Sequence, residues 1–293
     1  MKTILFASLA LICGLGGRDT HAQEGAGEKP SETGLVGPYL GQPVPGKEPK
    51  LFAPGVVSGT GATISACCFS PDGEEFYFTN QTNQQIMVCQ LTEKGWTPPA
   101  PAAFSAGYHA FEPHVTHDNK RVYWNWNHPD HAGGPAIFVS VRTADGWTEP
   151  KYVGLGMFVS SDRDGRVYVT HFGAEIDFVS QAVMADGKLV GYEDLKGGIE
   201  KLRDKYNAIA HPCISPDGSY LVCDVEGGWH LFVSFKGKDG TWGEAIDLAQ
   251  HDLDVKAGMA SITPDGKYLF FSIKGQIYWV STQIIEYLRP KER

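Results

Sequence analysis

Ser70-Pro71-Asp72-Gly73, followed by Glu74-Glu75-Phe76-Tyr77-Phe78, is the stretch on which the reading of this chain turns. Proline presets φ for the first turn position, aspartate caps the turn, and glycine accepts positive φ. The aromatic run behind it is strand-forming. The unit returns as Ser215-Pro216-Asp217-Gly218 before Tyr220-Leu221-Val222, and as Thr263-Pro264-Asp265-Gly266 before Tyr268-Leu269-Phe270. Two degenerate copies lie between the first two: His117-Asp118-Asn119 before Val122-Tyr123-Trp124, and Arg163-Asp164-Gly165 before Val167-Tyr168-Val169. The aspartates at 72, 118, 164, 217 and 265 are 46, 46, 53 and 48 residues apart.

Each turn joins two strands into a hairpin. A third strand follows at Ile86-Met87-Val88, Ile137-Phe138-Val139, Ile176-Asp177-Phe178, Leu231-Phe232-Val233 and Ile277-Tyr278-Trp279. A second turn and a tryptophan then lead into a fourth strand, at Gly95-Trp96, Gly146-Trp147 and Thr241-Trp242. Four antiparallel strands in about 48 residues is the period of a propeller blade. One such sheet cannot bury both faces, whereas five stacked in a ring can. The expected fold is therefore all-β, a five-bladed β-propeller of four-stranded antiparallel blades.

The fifth repeat stops after its third strand. Glu48-Pro49-Lys50-Leu51-Phe52-Ala53 matches Glu149-Pro150-Lys151-Tyr152-Val153-Gly154, the outer strand of the second repeat. Residues 49–53 are therefore expected to close the last blade, which leaves no open edge there. The domain reading is a signal peptide at 1–22, a flexible leader at 23–46, one propeller at 47–288 and a tail at 289–293. Lys2, an apolar stretch and Thr20-His21-Ala22 carry the export reading, so the expected location is periplasmic or secreted. No segment is long and apolar enough to span a membrane. A short helix is expected over 282–288. The helical composition of 198–206 reads as a lid or a loop excursion.

The turn motif, the aromatic strand after it and the final Ile277-Tyr278-Trp279-Val280 resemble the TolB-type, WD-repeat-like propeller repeats of exported bacterial proteins. The resemblance runs from about residue 49 to 288. It implies the propeller fold and a role in binding envelope proteins. It assigns no functional residue, because the shared motifs are structural turns.

The formal net charge of −9 and the lack of a Lys/Arg cluster exclude nucleic acid as a partner. Past the signal peptide the cysteines are Cys67, Cys68, Cys89, Cys213 and Cys223, an odd set without a CxxC pair. They read as buried thiols, with a Cys213–Cys223 bridge across one hairpin as the other option. No nucleophile elbow, dinucleotide fingerprint or phosphate loop is present.

Blade geometry sorts the remaining polar residues. Six residues before each turn aspartate stand Ala66, Glu112, Phe158, His211 and Met259, expected to ring the channel mouth. The loops between second and third strands share that strand-entry face. The candidate ligand-binding residues are Glu112, His114, Trp126, His128, His171, His211, Asp224 and Trp229. Imidazole and carboxylate suit a divalent metal, so Glu112, His114 and His211 form a possible metal set, although no cofactor is required. Candidate glycosidase carboxylates are Glu112, Asp130, Glu175, Asp224 and Glu226, with nothing in the sequence pairing them. Catalytic residues are not assigned. The favoured reading is a ligand- or protein-binding scaffold rather than an enzyme, its partner a carbohydrate, a peptide or an envelope protein. The alternative is a metal-dependent carbohydrate-active enzyme, a lyase or glycosidase, working at the channel mouth.

Overall fold

The structure, a computed structural model, describes residues 33–131, 134–172, 177–225, 230–251, 253 and 255–291. The signal segment lies outside them, and so do Glu175, Glu226 and Trp229. The described chain folds as five antiparallel blades. Blade 1 is built on Ile64–Phe69, Glu75–Asn80 and Gln85–Thr92, and blade 2 on Ala110–Val115, Arg121–Trp126 and Ala136–Thr143. Blade 3 uses Met157–Ser161, Val167–His171, Phe178–Ala185 and Lys188–Asp194. Blade 4 runs from Ile209–Ile214 to Ile246–Asp247, and blade 5 uses Gly258–Ile262, Tyr268–Ile273 and Gln276–Ser281.

The repeated turn works as its residue types require. In blade 1 the Ser70 hydroxyl accepts from the Glu75 N–H at 2.9 Å, and Asp72 Oδ1 accepts from the Glu74 N–H at 3.1 Å. Gly73 takes φ 75°. In the degenerate second copy Thr116 and Asp118 reproduce both bonds, and Asn119 takes φ 56° in place of glycine. Asparagine is among the few residues that enter this region at low cost. The third copy departs from the alignment. Asp162 stands where Ser70 stands in the first copy, its carboxylate accepting from the Arg166 N–H at 2.9 Å, and the hairpin is one residue shorter, Ser161 pairing with Val167 where Phe69 pairs with Phe76.

Ring closure follows the sequence match residue for residue. Lys50 pairs with Trp279 and Leu51 with Tyr278, the register that Lys151 and Tyr152 make with Val139 and Phe138. Phe52 is fully buried behind this strand, its ring 4.9 Å from Phe76 and from Phe270. It joins blades 1 and 5 through an aromatic cluster.

The described part of the expected flexible leader, residues 33–46, is packed rather than free. Leu40 is buried, the Tyr39 hydroxyl donates to Asp265 Oδ2 at 2.8 Å, and the Trp96 indole N–H donates to the Gly37 carbonyl at 2.7 Å. Composition showed only the Gly and Pro content; the burial comes from neighbours more than fifty residues away in the chain. Gly198–Asp204 is a 3-10 helix that buries Ile199 and Leu202 and takes the Trp242 carbonyl on the Gly198 N–H. It packs against the outer edge of blade 4 and forms no lid. The C-terminal helix is Gln283–Glu286.

Candidate functional site

The five residues aligned ahead of the turns share one backbone state. Ala66, Glu112, Phe158, His211 and Met259 all have φ between 38° and 56°, and each lies at a register shift in its inner strand. A bulge with a left-handed residue re-aims that side chain, and it is costly for a non-glycine residue. Fivefold repetition shows it to be a designed part of the blade.

At four of the five bulges the backbone N–H finds its acceptor on a side chain of the preceding blade. The Glu112 N–H donates to Thr79 Oγ1 at 2.9 Å, and the His211 N–H to Thr170 Oγ1 at 2.9 Å. The Phe158 N–H donates to Asn125 Oδ1 at 3.1 Å and the Met259 N–H to Asp224 Oδ2 at 2.6 Å. The fifth residue of this set is Ser272, whose hydroxyl has no partner among the described residues. Sequence reasoning passed over Thr79 and Thr170. The signal was present: every second strand ends near a polar residue at the same place in the repeat.

Ionisable groups enter this ring at one place. The two oxygens of Asp224 stand 2.8 and 2.9 Å from His211 Nδ1. His211 Nε2 faces Glu112 Oε1 at 3.8 Å, and Glu112 Oε2 accepts from the Phe158 N–H at 3.0 Å. Blades 2, 3, 4 and 5 thus meet through three buried side chains. Glu112 is 6% exposed, His211 7% and Asp224 2%. Burial pushes the Glu112 carboxyl up to about 7, against the pull of His211 and the Phe158 N–H. Burial alone lowers His211, but the Asp224 and Glu112 carboxylates outweigh it and raise its pKa. The Nε2–Oε1 gap is too long for a hydrogen bond, so a third polar atom can bond to both.

His114 does not join them. Its Nε2 lies 2.8 Å from Ser161 Oγ, and burial, helped by His117, pushes its pKa down to about 3, so it stays neutral. Of the possible metal set, Glu112 and His211 come together and His114 turns away. Among the described residues no three His, Cys, Asp or Glu side chains are grouped to hold a metal ion. The channel beneath, lined by His114, Ser161, Cys67 and Ser261 among others, has a volume of about 40 Å³. At ~10–15 Å³ per water it holds a few waters and no sugar ring.

The other candidates lie on the rim. Trp126 packs against Tyr108 at 4.7 Å and His128 at 4.1 Å. His131 stacks on the exposed Tyr152 ring at 3.8 Å, with 8° between planes, and lies 4.9 Å from His128. This half-exposed strip of rings belongs to blade 2. His171 is tied within blade 3, 3.1 Å from Ser180 Oγ, 3.2 Å from Asp194 and stacked on Tyr192. Asp130 is exposed beside His128. The described cysteines are free thiols. Cys213 pairs with Val222 across the hairpin, so the neighbouring Cys223 points to the opposite face of the sheet. Burial pushes the Cys67, Cys89 and Cys213 thiols up to about 12, which leaves them without nucleophilic character at neutral pH.

No protein family and no curated protein matches the chain. Among solved structures it is similar to TolB from Acinetobacter baumannii, with a TM-score of 0.48 and 14% identity over 74% of this chain and 54% of that one. The chain therefore spans about half the length of that protein. A gluconolactonase from Xanthomonas campestris gives 0.45 and 10% identity over 80% and 96% of the two chains. A glucose dehydrogenase gives 0.47 and 12% over 80% and 99%. None of these likenesses assigns a residue or an activity here.

Proposed function

We propose that this chain is an exported TolB-like propeller that binds a hydroxylated ligand, a carbohydrate in the first instance, on its strand-entry face. One observation carries the reading. His211 Nε2 and Glu112 Oε1 lie at the channel mouth 3.8 Å apart with hydrogen-bonding capacity left over. A ligand hydroxyl, donor and acceptor in one group, fits such a pair. The blade 2 strip of Trp126, His128, His131 and Tyr152 supplies ring faces for stacking on the same side of the propeller. The channel itself is too small for a sugar, so the ligand would lie across the mouth and not within it.

A glycan array followed by calorimetry on the best hit tests this. The expected result is saturable binding that weakens about tenfold in Trp126→Ala and in His211→Gln, the loss of about 1.4 kcal/mol per contact. Binding that ignores both substitutions would end the proposal. Turnover of a bound glycan, or stoichiometric metal in protein purified without a tag, would instead favour the metal-dependent enzyme.

A further inference from the structure

The face made by the Pro-Asp-Gly turns reads from sequence as short turns remote from function. It nevertheless carries a cavity of about 450 Å³. That is within the ~300–1,000 Å³ of small-molecule sites and about ten times the channel volume. Its apolar walls are Phe69 and Pro71 of blade 1, Leu91, Pro264 of blade 5, and Tyr39 from the N-terminal segment. These walls are stiff. Pro71 and Pro264 hold the same place in their repeats, and ring closure fixes φ at both. The Tyr39 ring meets Phe69 edge-on at 5.6 Å and Tyr268 at 5.1 Å, and its hydroxyl is bound to Asp265.

The charged lining is of one sign. Asp72 and Asp265 face the cavity, and no Lys, Arg or His lines it. Burial pushes the Asp72 carboxyl up, but hydrogen bonds from Ser70, the Glu74 N–H and Asn119 outweigh it and hold the pKa below the usual range. Asp265 is held down in the same way against its burial by Thr263, Tyr39 and the Lys267 N–H. Both are carboxylates at neutral pH. Two cations already act on this pair from outside: Lys267 Nζ, largely exposed, lies 3.1 Å from Asp265 Oδ2, and the Arg142 charge helps hold Asp72 ionised.

We propose that this turn-face cavity binds a small organic cation with a flat apolar body, its ring between Tyr39, Phe69 and the prolines and its ammonium on the Asp72 and Asp265 carboxylates. The aromatic and proline walls set the shape of the ligand, and the carboxylates select its charge. The exposed lysine ammonium is a built-in competitor for the same rim.

Three probes sharing one ring test the proposal by calorimetry on the purified full chain at matched ionic strength: tryptamine, 3-methylindole and indole-3-propionate. Tryptamine is expected to bind at one site at least tenfold more tightly than the anion, with the neutral compound between them. Asp72→Asn, which keeps the acceptor for the turn, is expected to weaken tryptamine about tenfold, the charge-assisted share of one hydrogen bond. Lys267→Met is expected to tighten it several-fold, a gain that misfolding cannot mimic. Trp126→Ala should leave tryptamine binding unchanged, which separates this site from the strand-entry face. Equal binding of amine and anion, no amine binding at millimolar concentration, or an unchanged affinity in Lys267→Met would each overturn it.

Discussion

Replacing Glu112 with glutamine should make the protein more stable at alkaline pH while changing little at acidic pH. The carboxyl is buried against His211 and the Phe158 N–H, and burial raises its pKa from 4.5 to about 7. Below pH 4.5 folded and unfolded chains both hold the proton, and its contribution is fully present. As pH rises toward 7 the unfolded chain releases the proton first, so stability falls, and the loss is complete once the folded carboxyl has ionised. A shift of about 2.5 units corresponds to roughly 3 kcal/mol. Glutamine keeps the acceptor for the Phe158 N–H and has no charge to bury. His211, also raised, loses one of its two carboxylate neighbours in the variant, which trims its own alkaline loss and acts in the same direction. The assay is urea unfolding of both proteins from pH 4 to pH 8. Taking the variant minus the wild type cancels the titrations that the substitution leaves alone. That difference should move by about 3 kcal/mol in favour of the variant, or roughly 5–10 °C in Tm. A flat difference, or one that moves toward the wild type, would refute the account of the channel mouth as a buried, proton-holding array.

Other perturbations test the ring and the turns. Phe52→Ala empties the centre of the aromatic cluster between blades 1 and 5 and should cost about 3–5 kcal/mol in urea unfolding, far more than a surface change. Gly73→Ala places a side chain in open space at φ 75°, so its cost should be purely conformational, about 1 kcal/mol, with no change in the folded-state spectrum. The Cys67, Cys89 and Cys213 thiols, buried and raised to about 12, should react with a thiol reagent only in denaturant. Rapid labelling of the native protein would show that the channel is more open than its volume implies.

Much of the architecture was legible because it repeats. A turn of fixed chemistry recurring about every 48 residues gives blade number, strand order and even the register of the closing strand, since Lys50 and Lys151 answer to the same place in the repeat. The same alignment put Glu112 and His211 on one ring. It failed where copies diverged. In the third copy Asp162 does the work of Ser70, across a hairpin one residue shorter than the first. The packing of residues 33–46 was invisible because Leu40 and Tyr39 find their partners in other blades, and composition records no partners.

What the sequence determined by itself was therefore everything local or periodic: the turns, the strands, the count of blades and the five residues aligned ahead of the turns. Tertiary structure alone decided the chemistry. Glu112 and Asp224 are 112 residues apart in the chain, more than two repeats, yet His211 bridges them. Only the closed ring sets that 3.8 Å gap, buries the carboxyl and raises its pKa. Likewise, only the docked N-terminal segment turns two ordinary Pro-Asp-Gly turns into the walls of a cavity. Distances between side chains on different blades are properties of the assembled sheet stack, and no single repeat contains them.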